Sequence, residues 1–203
     1  MPRILIATNN AGKLEEMRAL LLPSGWTPVP PAGLGLALDV AETGTTYAEN
    51  ATLKATAFAR AAQMLALADD SGLEVDALGG RPGVYSARYG GPGTPPAQQI
   101  RLLLRELEGI PEPQRTARFR SVVVIATPDG QLWQSEGTVE GRIAREPRGS
   151  NGFGYDPIFF LPEFGRTMAE LPDTEKNAIS HRARAMRGAL EQLDRLLRSG
   201  EAL

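Results

Sequence analysis

The chain has 203 residues, 42% of them hydrophobic and 23% charged, a size that suits one large domain or one domain with two lobes. A formal net charge of -2 supplies no basic field for a polynucleotide, so nucleic-acid polymers are not expected partners. The absence of cysteine excludes disulfides, thiol nucleophiles and Cys-type zinc sites, and suits a reducing cytoplasm.

No apolar stretch approaches the roughly 20 residues of a membrane span, and the strand-like run from Arg3 to Ala7 leaves no space for a signal peptide. A cytoplasmic protein without membrane association is therefore expected. Residues 3–8 read as a buried strand that leads into the polar turn Thr8-Asn9-Asn10. A helix follows from about Ala11 to Leu22, with Leu14, Met17, Leu20 and Leu21 on one face. Pro23-Ser24-Gly25 stops it, and the Pro- and Gly-rich residues 26–44 predict short strands and loops. A second helix begins near Thr46, where Thr46 and Glu49 have capping-box spacing, and continues to about Met64. Leu65 to Ala68 predicts a short buried strand that ends in Asp69-Asp70-Ser71-Gly72. A glycine-rich loop at 79–83 follows, and Thr94-Pro95 reads as an N-cap and first-turn proline for a helix to about Leu107. Residues 117–127 and 131–143 predict two strands around the turn Pro128-Asp129-Gly130, with Val122 to Ile125 buried on both faces. Ile158 to Leu161 is a further apolar run. The last helix, about Ser180 to Arg198, carries Ala183, Met186, Leu190, Leu193 and Leu197 on one stripe. The order is that of a mixed α/β fold.

Charge is distributed unusually. Of the 22 basic residues, only Lys13, Lys54 and Lys176 are lysines, so each is a candidate site where a compact ammonium is needed; residue drift is the alternative. Lys13 stands in the first turn of its helix, where the dipole disfavours a cation. The strand, polar turn and helix N-terminus ahead of it form a ready anion site, and a bound anion would reverse that penalty; a snorkelling surface lysine is the alternative. His181 and Arg182 repeat the pattern at the start of the last helix, with Lys176 just upstream. No comparable cluster of acids offsets them.

Among the acids, Asp69 and Asp70 point to opposite faces if the chain is extended, so one can face a ligand while the other ties down the loop. A plain turn of turn-forming residues is the competing reading. Glu49 is accounted for by the capping box, whereas Glu42 has no capping role. Glu42 and Asp70 suit Mg²⁺, which takes one or two carboxylates, waters and phosphate oxygens. Asn50 and Lys54, four residues apart, share a face of the second helix, and a lysine there needs an acidic partner.

Several segments taken together resemble the inosine triphosphate pyrophosphatase family. They are Thr8 to Lys13, Glu42-Thr43-Gly44, Glu49-Asn50-Ala51, Lys54, Ala68 to Leu73, Pro82 to Arg88, Gly152 to Pro157 and Lys176 to Arg182. They keep the family's order over nearly the whole chain. The resemblance implies phosphate binding by the turn Thr8, Asn9, Asn10, Ala11, Gly12 and Lys13 and by Lys54. It implies Mg²⁺ binding by Glu42 and Asp70, with Asp70 also the base for the attacking water, and a substrate contact at Ser71. Phe153, Gly154, Tyr155, Asp156, Lys176, His181 and Arg182 are implied as the base-recognition wall. It further implies a homodimer, and a single domain over residues 1–203 in which an elongated mixed sheet, flanked by helices, carries two lobes with the nucleotide in the cleft between them. Two departures, Asn9 where glycine is common and Ser150-Asn151 before Gly152, touch no charged position.

The expected activity is cleavage of ITP, dITP or XTP to the monophosphate and pyrophosphate. The alternatives are a pyrophosphatase or phosphatase with another base preference, and a nucleotide-binding module without catalysis.

Overall fold

The computed structural model describes residues 1–199. Seven strands form one sheet in the order β2-β1-β3-β4-β5-β6-β7. They are β1 (Arg3–Ile6), β2 (Thr27–Val29), β3 (Ala66–Val75), β4 (Thr116–Ala126), β5 (Leu132–Ile143), β6 (Phe159–Leu161) and β7 (Arg166–Thr167). The helices are α1 (Ala11–Leu21), α2 (Tyr47–Ala62), α3 (Pro96–Glu106), α4 (Asp173–Ile179) and α5 (His181–Ser199). Parallel pairing of β1 with β2 and β3, and antiparallel pairing of β6 with β5 and β7, make the sheet mixed. The expected α/β class is observed.

The described residues divide into two compact units, 1–70, 121–137 and 182–199 in the first and 71–120 and 138–181 in the second. Each has its own apolar core. In the first, Ile4 and Ile6 of β1, Leu67 of β3, and Val123 and Ile125 of β4 meet Met17 and Leu21 of α1 and Met186 and Leu193 of α5. The helical stripes of the sequence are the buried faces: Leu14, Leu20, Leu190 and Leu197 lie at the margin of this core. In the second, Leu73, Val75, Leu103, Phe119, Ile143, Ile158, Phe159 and Met168 pack together.

Two expectations need correction. β3 does not end at Asp69-Asp70-Ser71-Gly72 but runs through it to Val75, with Leu73 and Val75 fully buried. Turn-type residues continue a strand here because both carboxylates are satisfied by side chains far away in sequence. α3 begins one residue later than expected: Pro95, not Thr94, is the N-cap, at φ -62° and ψ 146°, and makes no side-chain capping bond. Pro96 forces its predecessor into extended backbone, which places Pro95 outside the helix. α4 was not anticipated; Ser180 is its extended C-cap, so the last helix starts at His181. The Thr46–Glu49 capping box is formed at both ends.

Arg115 holds the second unit together around one buried guanidinium. Its Nε, Nη1 and Nη2 donate to the carbonyls of Ile143, Leu107 and Ala144 at 2.9, 2.9 and 3.0 Å. Arg115→Met keeps the apolar stem but strips three buried acceptors, and is expected to cost about 3 kcal/mol or more in urea unfolding.

Candidate active site

In the first unit, sequence-distant charges gather around the two central aspartates. Alternation along β3 sends Asp69 and Asp70 to opposite faces, and each meets its own partners. Asp69 is 1% exposed; its Oδ1 lies 3.3 Å from Lys13 Nζ and its Oδ2 accepts from Arg182 Nε at 3.1 Å. Arg182 also donates through Nη1 to Glu16. On the other face, Asp70 Oδ2 accepts from Asn50 Nδ2 at 3.1 Å, and Oδ1 is 3.7 Å from Lys54 Nζ. Lys54 Nζ also donates to Glu42 Oε1 at 2.6 Å. The partner expected for Lys54 is therefore present twice over, and Glu42 and Asp70 converge on one ammonium.

The neighbouring aspartates experience opposite fields. Burial pushes the Asp69 carboxyl up, but the Lys13, Arg182 and Lys54 cations outweigh it and hold the group well below the usual carboxylate range. At Asp70 burial prevails over Lys54 and Lys13, and the Glu42 charge adds to it, so its carboxyl is raised. Two carboxylates with diverging affinities for a proton are the usual sign of divided roles. Lys54 resists burial through Asp69, Asp70 and Glu42, and its ammonium is held above the ordinary value. Burial dominates at Lys13 and lowers it despite Asp69.

The polar turn ahead of α1 has the shape expected of it. Asn10 caps the helix by accepting the Lys13 N–H at 3.0 Å. Thr8 Oγ1 accepts the Asn10 N–H at 3.2 Å, and Asn9 Nδ2 donates to the Leu38 carbonyl at 3.0 Å. Asn9, Asn10 and Ala11 are exposed, with Gly12 and Lys13 half-buried behind them.

The second unit brings together Phe153, Asp156, Lys176 and, separately, His181. Asp156 Oδ2 accepts from Lys176 Nζ at 2.5 Å and from the Phe153 N–H at 2.9 Å. The Lys176 ammonium lies 5.2 Å from the Phe153 ring centroid. His181 stacks on Phe119 at 4.7 Å and 19°. Tyr155 is buried, and its hydroxyl donates to the Ser86 carbonyl at 3.0 Å, so its ring anchors the 153–156 turn from beneath. Ser86 is fixed in turn: its Oγ accepts the Leu73 N–H at 2.9 Å and donates to the Gly83 carbonyl at 2.6 Å. Ser71 follows Asp70 on β3 and is half-buried.

Gly152 has φ +74°, and a Cβ there would lie 2.1 Å from Asp156 Oδ2 and 2.5 Å from Lys176 Nζ. Gly152→Ala is expected to lose about 2 kcal/mol or more, from left-handed strain together with displacement of the ion pair. Chemical denaturation measures it.

Sequence reasoning found no comparable cluster of acids to offset the lysine and arginine cluster near the last helix. The acids are supplied by Asp156, Asp69 and Glu16. It also passed over Phe119, whose only local signal is its place between Arg118 and Arg120, which alternation sends to the opposite face.

The residues present fit a divalent cation of the Mg²⁺ type. Glu42 and Asp70 approach a common point at Lys54, while no three Asp, Glu or His side chains among the described residues form a ready metal cage. An ion held by this pair would complete its shell with water and phosphate oxygens, the usual Mg²⁺ arrangement.

The model of the Ham1 family matches residues 4–192. The chain is 52% identical to the dITP/XTP pyrophosphatase of Geobacillus kaustophilus (strain HTA426), over 97% of both chains. It is 49% identical to the dITP/XTP pyrophosphatase of Bacillus subtilis (strain 168), over 97% of this chain and 98% of that one. A HAM1 protein from Coxiella burnetii superposes with a TM-score of 0.84 at 43% identity, covering 98% of this chain and 100% of the other. The chain belongs to the Ham1 family.

Proposed function

We propose that this protein hydrolyses non-standard purine nucleoside triphosphates, dITP, XTP and ITP, to the monophosphate and pyrophosphate. The observation that carries the reading is the convergence of Glu42 and Asp70 on Lys54, with Lys13 on the opposite face of the same strand. The activity named for the relatives at about half identity supports it.

In this reading the triphosphate is bound by the Thr8–Lys13 turn and Lys54. Glu42 and Asp70 would hold Mg²⁺, which would supply charge to offset that of the phosphate oxygens. Asp70 is the base. It would accept the proton of a water attacking the α-phosphorus, a contribution of about 10²–10⁴-fold. As the bond to the β-phosphate breaks, Lys13 and Lys54 offset the charge growing on pyrophosphate. Ser71 contacts the substrate next to the base.

Selection of the purine falls to the second unit's residues. Hypoxanthine and xanthine carry a 6-keto acceptor where adenine carries a donor. Donors from Lys176, His181 and the 153–156 backbone would pair with the keto group and be left unpaired by adenine, a difference worth up to about 10⁴-fold. The Phe153 ring offers a stacking face. Arg182, whose Nε and Nη1 donate to Asp69 and Glu16, belongs to the same recognition wall beside His181 at the start of α5. A homodimer acting in the cytoplasm completes the proposal; no helix among the described residues is long and apolar enough to cross a membrane.

A panel of nucleoside triphosphates assayed with Mg²⁺ and with chelator tests the reading. Turnover of ITP, dITP and XTP, little of ATP, and loss of activity with chelator are expected. Equal turnover of ATP would overturn the base selection. His181→Ala and Lys176→Ala are expected to narrow the ITP/ATP preference, each by about tenfold or more in kcat/KM.

A further inference from the structure

Asn50 lies on α2 with no solvent exposure, one helical turn ahead of Lys54. Both ends of its amide are engaged: Oδ1 accepts the Gly44 N–H at 2.8 Å, and Nδ2 donates to Asp70 Oδ2 at 3.1 Å. A neutral amide presents one acceptor and one donor side by side, as these two partners require. Gly44 can approach only because it lacks a side chain; a Cβ there would lie 2.7 Å from Asn50 Oδ1 and 2.6 Å from Glu49 Cβ. The first turn of α2 grips the same segment again, as Glu49 Oε2 accepts the Thr45 and Thr46 N–H groups at 2.6 and 3.1 Å. Glu42 stands two residues before Gly44, and Asp70 stands on β3. One buried amide thus joins the turn that carries one acid to the other acid itself, with Lys54 as the second tie between them.

From this geometry we infer that Asn50 is a positioning residue, which sets the Asp70 carboxylate in register with the Glu42 turn so that the two acids act on one ion and one phosphate. The inference rests on the proposed function for what those acids do. Donation from Nδ2 fixes rotation of the Asp70 carboxylate, and acceptance by Oδ1 fixes the Gly44 backbone. Asn50→Asp keeps the size and the acceptor for Gly44 but turns an oxygen toward Asp70. Gly44→Ala is an independent probe, because it drives a methyl group into the amide without altering any charge.

The experiment compares both variants with the parent in three measurements. These are kcat and KM for ITP with Mg²⁺, Mn²⁺ affinity from water-proton relaxation in the presence of α,β-imido ITP, and folding by circular dichroism at the assay temperature. Folded Asn50→Asp is expected to lose about tenfold or more in kcat and in Mn²⁺ affinity, with KM held within about threefold. Gly44→Ala is expected to change in the same direction. A folded variant of either kind with kcat and Mn²⁺ affinity within about twofold of the parent overturns the inference. If neither variant folds, the amide is a structural strut and the inference is equally overturned. A parent that releases no pyrophosphate from ITP counts against the proposed function instead, while the Mn²⁺ comparison still reads the role of Asn50.

Discussion

Asp70→Asn is expected to lower pyrophosphate release from ITP by about 10²–10⁴-fold, the range for loss of a general base, without weakening the fold. The two halves of this expectation have one cause. Burial and the nearby Glu42 charge raise the Asp70 carboxyl above its ordinary value of 3.8, against the pull of Lys54 and Lys13. A carboxyl raised in the folded state favours folding while protonated, and that advantage is lost as pH rises through the folded value. At neutral pH the ionised group is therefore a burden on stability, and an amide of the same shape removes it. The amide oxygen can still accept from Asn50 Nδ2. Melting temperature at pH 7 should stay level or rise while turnover collapses. A variant that turns over at the parental rate would remove Asp70 from the chemistry.

The residue beside it should behave in the opposite way. Asp69→Asn is expected to destabilise the protein by about 3–5 kcal/mol at pH 7, because it takes the paired carboxylate from the buried Lys13 ammonium and one of two acids from the buried Arg182 guanidinium. Burial opposes the Asp69 charge, but Lys13, Arg182 and Lys54 hold its carboxyl far below 3.8. Its contribution to stability is thus complete above that pH and is lost as pH falls from 3.8 through the folded value. The difference between parent and variant in urea unfolding should be full at neutral pH and shrink only in strong acid. A gap that instead grew with acidity would mean the pairing is misread. Activity falls too, since Lys13 loses the partner that aims it, but stability is the primary readout.

Why one aspartate of the pair was legible in the sequence and the other was not is a matter of range. Glu42, Lys54 and Lys13 stand out because each lacks a local explanation: a glutamate outside any cap, a lysine on an alanine-rich face, a cation in a first helical turn; Asp70 is singled out by the family resemblance. Helical and strand periodicities also report local geometry well, so the buried faces of α1 and α5 and the capping box at Thr46 were readable. Asp69 meets Arg182 across 113 positions and Arg182 meets Glu16 across 166. Partners that distant leave no periodic trace. The same blindness explains the strand misread as a turn: Asp-Asp-Ser-Gly has turn composition, and only side chains from α1, α2 and α5 satisfy it as extended backbone. It also bears on Arg182, whose expected place among the base-recognition groups came from the family resemblance. Its Nε and Nη1 donate to Asp69 and Glu16, partners that no local pattern announces. Tyr155 is similar, a buried anchor within a segment whose other members are proposed to carry the recognition chemistry.

The account stands on acids at 42 and 70 and lysines at 13 and 54 working on one triphosphate at its α-phosphorus. Hydrolysis of ITP in oxygen-18 water reads that position directly by mass spectrometry of the products. The label should appear in IMP alone, with unlabelled pyrophosphate and no orthophosphate released. Label in pyrophosphate, or orthophosphate released together with IDP, would contradict it.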